Sequence, residues 1–219
     1  MDRIPEPELM SDPAQARAYA GADFSEPHQA FVERFREHFP MHQPRRVLDL
    51  GCGAADVTIR FARAHPECKL TGVDGAAAML ALACEAVARA GLTQRISLVE
   101  ARLPESALPR STFDTVICNS LLHHLTDPHV LWNACTEYAA PGAAVWVVDL
   151  RRPGSREQAE RLVREHAGAE LEILQRDFLN SLLAAYRPEE IAAQLARAGL
   201  ARFKAEAVGD RHVSVYGFL

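Results

Sequence analysis

The stretch "RRVLDLGCGAADVTIRFA", Arg45 to Ala62, runs from a short apolar segment into a glycine turn and out into a helix-like segment. Val47 to Cys52 holds four apolar residues in six, the pattern of a strand covered on both faces. Gly51 permits a sharp exit from that strand, and Gly53 lets a ligand approach the backbone closely. The helix that follows offers unpaired N–H groups and the positive end of its dipole. A dinucleotide fold would place a third glycine at the helix–strand contact, where this sequence has Ala55 or Asp56.

Two acids narrow the choice of ligand. Asp74 ends the next apolar segment, 23 residues after Gly51, where a carboxylate accepts hydrogen bonds from a ribose diol. Asp49 lies two residues before Gly51. A carboxylate there repels a pyrophosphate and favours a ligand bearing an amine or another cation. S-Adenosylmethionine (SAM), with an α-ammonium, a sulfonium and no phosphate, suits that arrangement better than NAD.

From Arg45 onward, strand and helix signals alternate. Short, mostly apolar strands are expected at 46–50, 69–74, 95–100, 113–119 and 143–150. Helical stretches fall between and after them, at 55–65, 76–90, 127–140, 155–167, 170–186 and 188–198. This alternation predicts an α/β fold: a doubly wound, parallel sheet with right-handed crossovers. The tail "LARFKAEAVGDRHVSVYGFL" differs, because two alternating runs flank Gly209-Asp210 and read as an antiparallel β-hairpin on the sheet edge. Residues 1–44 read as a helical cover. Asp12-Pro13 marks one helix start and Gly21 its stop, while Phe31, Val32, Phe35 and Phe39 form a stripe on the next helix. Residues 45–219 then form the ligand-binding domain.

Composition sets outer bounds. The chain has 219 residues, 48% hydrophobic and 24% charged, enough for one domain with its own core. A net charge of −5 gives no basic field for nucleic acid. No apolar run approaches a membrane span, and the proline-broken acidic N-terminus does not suit a signal peptide. The five cysteines are odd in number and form no CxxC pair, so they read as reduced thiols of a cytoplasmic protein, with Cys68, Cys84 and Cys118 in buried contexts. No metal site is expected, since Pro40 separates His38 from His42.

With these features in place, the chain resembles the class I SAM-dependent methyltransferases. The resemblance runs from about Arg45 to the C-terminus and rests on "VLDLGCGAAD", "TGVDGAAAML", "FDTVICNSLLHHLTDP", "PGAAVWVVDL" and the late hairpin. It implies a Rossmann-like, mostly parallel sheet of seven strands that ends antiparallel. It also implies that Asp49, Gly51, Cys52 and Gly53 line the methionyl part and ribose of SAM, and that Asp74 and Gly75 hold the ribose. Met79 is expected on the adenine. Arg102 stands close to where the family usually has an acid for the adenine amine, so the backbone of Arg102 or Leu103 is expected to serve there.

In an open α/β sheet the ligand lies at the carboxyl ends of the strands. Asn119, Ser120 and Leu121 therefore fall beside the sulfonium. His123 and His124 are candidate general bases, and Asn119 and Tyr186 are further catalytic candidates. Asp149, Arg151, Arg152, Asn180 and Tyr186 are candidates for acceptor contacts, the arginines through a carboxylate or phosphate. Tyr19 and Phe24 are placed to close over SAM, where an aromatic face gains cation–π energy. The leading expectation is methyl transfer from SAM to a small-molecule acceptor, without nucleic-acid or membrane partners. Alternatives are cyclisation of SAM to azetidine-2-carboxylate and methylthioadenosine, or SAM binding without catalysis. An NAD-dependent oxidoreductase is disfavoured by Asp49 and the hairpin.

Overall fold

A computed structural model describes residues 1–6, 10–104 and 108–219. The apolar segments of the sequence become the strands β1 (Arg46–Leu50), β2 (Lys69–Asp74), β3 (Ile96–Glu100), β4 (Phe113–Asn119) and β5 (Ala139–Leu150). Two further strands, β6 (Lys204–Val208) and β7 (His212–Phe218), flank the Gly209-Asp210 turn. All seven form one sheet in the order β3-β2-β1-β4-β5-β7-β6. The first five run parallel, and β7 is antiparallel to both β5 and β6. This is the expected mostly parallel, seven-stranded Rossmann-like sheet. β5 begins four residues earlier than its apolar run suggested, at Ala139.

Helices α1 (Pro13–Gly21) and α2 (Ser25–His38) precede the sheet, and α3 (Asp56–Ala64), α4 (Ala77–Arg89) and α5 (His129–Tyr138) connect its strands. α6 (Arg156–Ala167), α7 (Glu172–Ala184) and α8 (Pro188–Arg197) lie between β5 and the hairpin. Asp12 caps α1, accepting hydrogen bonds from the Ala14 and Gln15 amides. The stripe read on α2 is real: Phe31, Val32 and Phe35 are buried there, and Phe39 follows at the cap. They pack on one sheet face with Val47, Leu70, Ile117 and Trp146. Trp132, Leu131, Ile191 and Leu195 of α5 and α8 cover the other face. Among the cysteines, Cys84 departs from expectation, because it sits on the exposed face of α4; all five are free thiols.

The strand order reverses between β1 and β4, since β2 and β3 lie on one side of β1 and β5 on the other. A crevice opens at the carboxyl ends of strands at such a point. The loops leaving β1 and β4 meet there. Gly51 has φ +74°, and a Cβ added to it would stand 3.0 Å from the Cβ of Leu121.

Candidate active site

The turn after β1 is held by its neighbour strand. The Gly51 and Cys52 amides donate to the Val73 carbonyl at 2.8 and 3.0 Å. Asp74, at the end of β2, accepts from the Gly53 amide at 2.8 Å and from the Ala76 amide at 2.8 Å. One carboxylate thus fixes both ligand-facing loops. Burial raises its pKa, and the backbone donors only partly oppose that. Gly53 (φ +53°) and Ala55 (φ +66°) are both left-handed. Ala55 is one of the two positions, with Asp56, at which a dinucleotide fold would place a third glycine, and it adopts a backbone that favours glycine.

Asp49 is buried to 2% exposure and accepts from the Thr58 hydroxyl at 2.6 Å. Burial raises its pKa to about 7, against the Thr58 hydrogen bond and with help from the charge of Asp74. Among the described residues no cation pairs with it. A buried carboxylate facing a cleft without a protein cation is stabilised by a ligand that brings one. The donor set therefore fits an amine-bearing, diol-bearing ligand such as SAM and opposes a pyrophosphate.

All thirteen residues expected around the cofactor (Tyr19, Asp49, Gly51, Cys52, Gly53, Asp74, Gly75, Met79, Arg102, Leu103, Asn119, Ser120 and Leu121) line a cleft of about 1280 Å³. Met79 packs with Ala16, Ala76 and Tyr19 beneath α1. Tyr19, Phe24 and His28 form an aromatic ladder along the cleft, with ring centroids 4.8 and 5.4 Å apart. Burial, followed by the nearby charges of Asp149, Asp74 and Asp56, pushes the Tyr19 phenol up to about 12, so it stays neutral. α1 is latched across the cleft by a buried hydrogen bond from Gln15 Nε2 to Asp177 Oδ2 of α7, 2.8 Å long. Nothing in the sequence signalled that latch, because its partners are 162 residues apart.

A single turn of 3-10 helix, Leu122–His124, follows β4 and carries the two histidines. His123 Nδ1 lies 2.6 Å from Asp149 Oδ1. The other oxygen of Asp149 accepts from the Leu122 amide at 2.7 Å. The two side chains are 3% and 2% exposed. Burial would raise the Asp149 pKa, but the His123 charge and hydrogen bond, with the Leu150 amide, outweigh it and hold the carboxyl below its ordinary value. His124 stacks on His123 with centroids 4.0 Å apart. Burial, and then His123, push its pKa down to about 3. Its ring also hydrogen-bonds the Glu6 backbone, so at neutral pH it is a neutral, tethered group. Both histidines line the cleft, as does Asn119, whose Nδ2 donates to the Ser120 hydroxyl at 3.2 Å.

The acceptor candidates are placed differently. Asp149, Arg151, Arg152, Asn180 and Tyr186 are not among the lining residues. Asp149 serves His123. Arg151 donates to the Gly209 and Asp210 carbonyls and ties down the hairpin turn. Arg152 is buried, donating to the Ala185 carbonyl and pairing with Glu190. Tyr186 donates its hydroxyl to the Leu125 carbonyl at 3.1 Å. Asn180 sits on α7 beside Ser181, and it is Ser181 that lines the cleft. Each of these polar groups except Asn180 is therefore spent inside the protein, which local sequence could not reveal. Glu165, His166 and Asp210 bring potential metal ligands together at the exposed rim, but His166 Nε2 lies 2.6 Å from Asp210 and Arg211 donates to Asp210. Among the described residues no helix is long and apolar enough to cross a membrane.

The sequence pattern of a methyltransferase domain matches residues 47–142. A ubiquinone biosynthesis O-methyltransferase from Bordetella avium is 32% identical over 163 residues, 72% of this chain and 63% of that protein. Its counterpart from Paracidovorax citrulli is 35% identical over 113 residues, 50% of this chain and 45% of that protein. The chain thus spans about half the length of these curated relatives. In structure, it resembles a SAM-dependent methyltransferase from Aquifex aeolicus, with a TM-score of 0.70 at 19% identity over 94% of this chain and 98% of that one. It also resembles the plantazolicin methyltransferase BpumL in complex with SAH, with a TM-score of 0.75 at 14% identity over 95% of this chain and 91% of that one.

Proposed function

From the premise that the chain carries a class I SAM-dependent methyltransferase domain, we propose that the protein transfers the SAM methyl group to the hydroxyl oxygen of a small-molecule acceptor. The observation that carries this reading is the buried His123–Asp149 pair at the cleft wall, beside Asn119 to Leu121. When bound, SAM supplies a methyl group already activated by its sulfonium. Asp49 would meet the ligand's ammonium and Asp74 its ribose hydroxyls, while the Tyr19–Phe24–His28 ladder on the same cleft would offer aromatic faces to its cation. His123, with Nδ1 held by Asp149, takes the acceptor's hydroxyl proton at Nε2 as the acceptor oxygen gains the methyl group. Asp149 stabilises the imidazolium that results. His123, not His124, fills this role, because His124 resists protonation until pH falls to about 3.

Three observations support an acceptor rather than cyclisation of SAM. A cleft of about 1280 Å³ exceeds the roughly 300–1000 Å³ of a typical single-ligand site. Its far end reaches Val148, Leu150, Phe178 and Ser214, beyond the glycine turn. The relatives named as O-methyltransferases act at oxygen. The test is turnover of SAM with a panel of phenols and alcohols. O-Methyl product together with S-adenosylhomocysteine supports the reading, and methylthioadenosine from SAM alone overturns it.

A further inference from the structure

We propose that Arg3 is a positioning residue for the His123–Asp149 pair, holding from outside the cleft the short turn that carries His123. The inference rests on His123 being the proton acceptor. Three residues of 3-10 helix between β4 and α5 are a slight scaffold for such a group. The turn closes on itself through the His124 amide to Leu121 and the Leu125 amide to Leu122, at 3.1 and 3.2 Å. The His123 and Leu125 carbonyls have no partner within the turn. Arg3 supplies one: its Nη2 donates to the His123 carbonyl at 2.8 Å and to the Leu125 carbonyl at 3.1 Å.

The guanidinium is itself held in place. Its Nε donates to the Ala184 carbonyl at the end of α7, and its plane lies 4.1 Å over the Tyr186 ring. Tyr186 sends its hydroxyl to the same Leu125 carbonyl that Arg3 reaches. The strap around Arg3 is anchored by the Ile4 amide on Leu183, at 3.0 Å, and by the Ser181 hydroxyl on Glu6, at 3.0 Å. His123 is thus clamped at both ends, its ring by Asp149 and its carbonyl by Arg3. A planar fork reaches three carbonyls on two elements at once, which an ammonium does not.

The test uses the full chain with Arg3→Gln, Arg3→Lys and, as a milder change, Tyr186→Phe. The readouts are kcat, the acceptor KM, S-adenosylhomocysteine affinity and the His123 imidazole resonances of the ligand-free protein. Arg3→Gln is expected to lower kcat at least about tenfold, since small misplacements of reacting groups cost up to roughly 100-fold. S-Adenosylhomocysteine affinity stays unchanged and the Nδ1 proton signal broadens through exchange. Arg3→Lys restores little of the loss, and Tyr186→Phe shows a smaller loss of the same kind. An unaltered Nδ1 signal in Arg3→Gln or Tyr186→Phe overturns the inference. That signal is read without turnover, so it remains decisive where His123→Gln leaves kcat intact and it is the proton-acceptor reading that fails.

Discussion

His123 Nδ1 and Asp149 Oδ1 lie 2.6 Å apart, with both side chains almost wholly shielded from solvent, although 26 residues separate them in sequence. The pairing fixes the imidazole's orientation and occupies Nδ1, so the proposed proton transfer would use Nε2. It also joins the turn that follows β4 to the end of β5, its parallel neighbour. The group proposed to accept the proton and those proposed to hold the cofactor therefore sit on separate loops and can be tested separately.

Replacing His123 with Gln is expected to lower kcat about 100- to 10,000-fold, the usual contribution of a positioned general base. S-Adenosylhomocysteine binding should hold within about twofold, because the proposed ribose and ammonium contacts use Asp74 and Asp49 rather than His123. The comparison of kcat with calorimetric affinity checks this. Asp149→Asn should act in the same direction and also lower the melting temperature, since Asp149 accepts the buried Leu122 amide.

SAM affinity should depend on pH through Asp49. Its pKa in the ligand-free fold is about 7, because it is buried without a protein cation. A bound ammonium favours the ionised form, so affinity should fall as pH drops from about 8 to about 6, approaching tenfold per unit below 7. Asp49→Asn should bind weakly at every pH and lose that slope.

The stability of the ligand-free protein should move the other way. Asp49 has a higher pKa folded than unfolded, so the folded state holds its proton more tightly between these values. That contribution is fully present below about pH 4, declines as pH rises from there, and is gone above about pH 7. Asp49→Asn should therefore melt no lower than the parent protein at about pH 8, provided the Asn keeps the Thr58 contact. Thermal melts across that range check the sign.

The β1 turn should not tolerate a side chain at Gly51. Its φ of +74° disfavours any L-residue, and a Cβ there would press on Leu121. Gly51→Val should abolish SAM binding and lower stability by about 1–3 kcal/mol. Asp74→Ala should weaken SAM binding at least about 100-fold, since it removes charge-assisted hydrogen bonds worth roughly 1.5–3 kcal/mol each. It should leave a folded protein, which circular dichroism would show.

These contacts divide by how local they are. The strands were legible because each is a short apolar run buried on both faces, and the hairpin because Gly209-Asp210 sits between alternating runs. That Asp49, Gly51, Gly53 and Asp74 line one cleft was legible because the first three fall within five residues and Asp74 ends the adjacent strand. The rest of the site depends on distant partners. Arg3 meets a carbonyl 120 residues away, Gln15 a carboxylate 162 away, and Arg152 a glutamate 38 away. Tyr186 and Arg152 look like ligand-facing groups in sequence, yet the fold turns them to backbone carbonyls and Glu190. Composition gives no hint of such choices, which tertiary packing makes.

Methyl transfer to oxygen is read out most directly by mass spectrometry of the purified protein incubated with methyl-labelled SAM and a panel of phenolic and alcoholic acceptors. Labelled O-methyl product and S-adenosylhomocysteine are expected in equal amounts, formed only when acceptor is present and largely lost in His123→Gln. Methylthioadenosine formed from SAM alone, or tight SAM binding with no product from any acceptor, would contradict methyl transfer to oxygen.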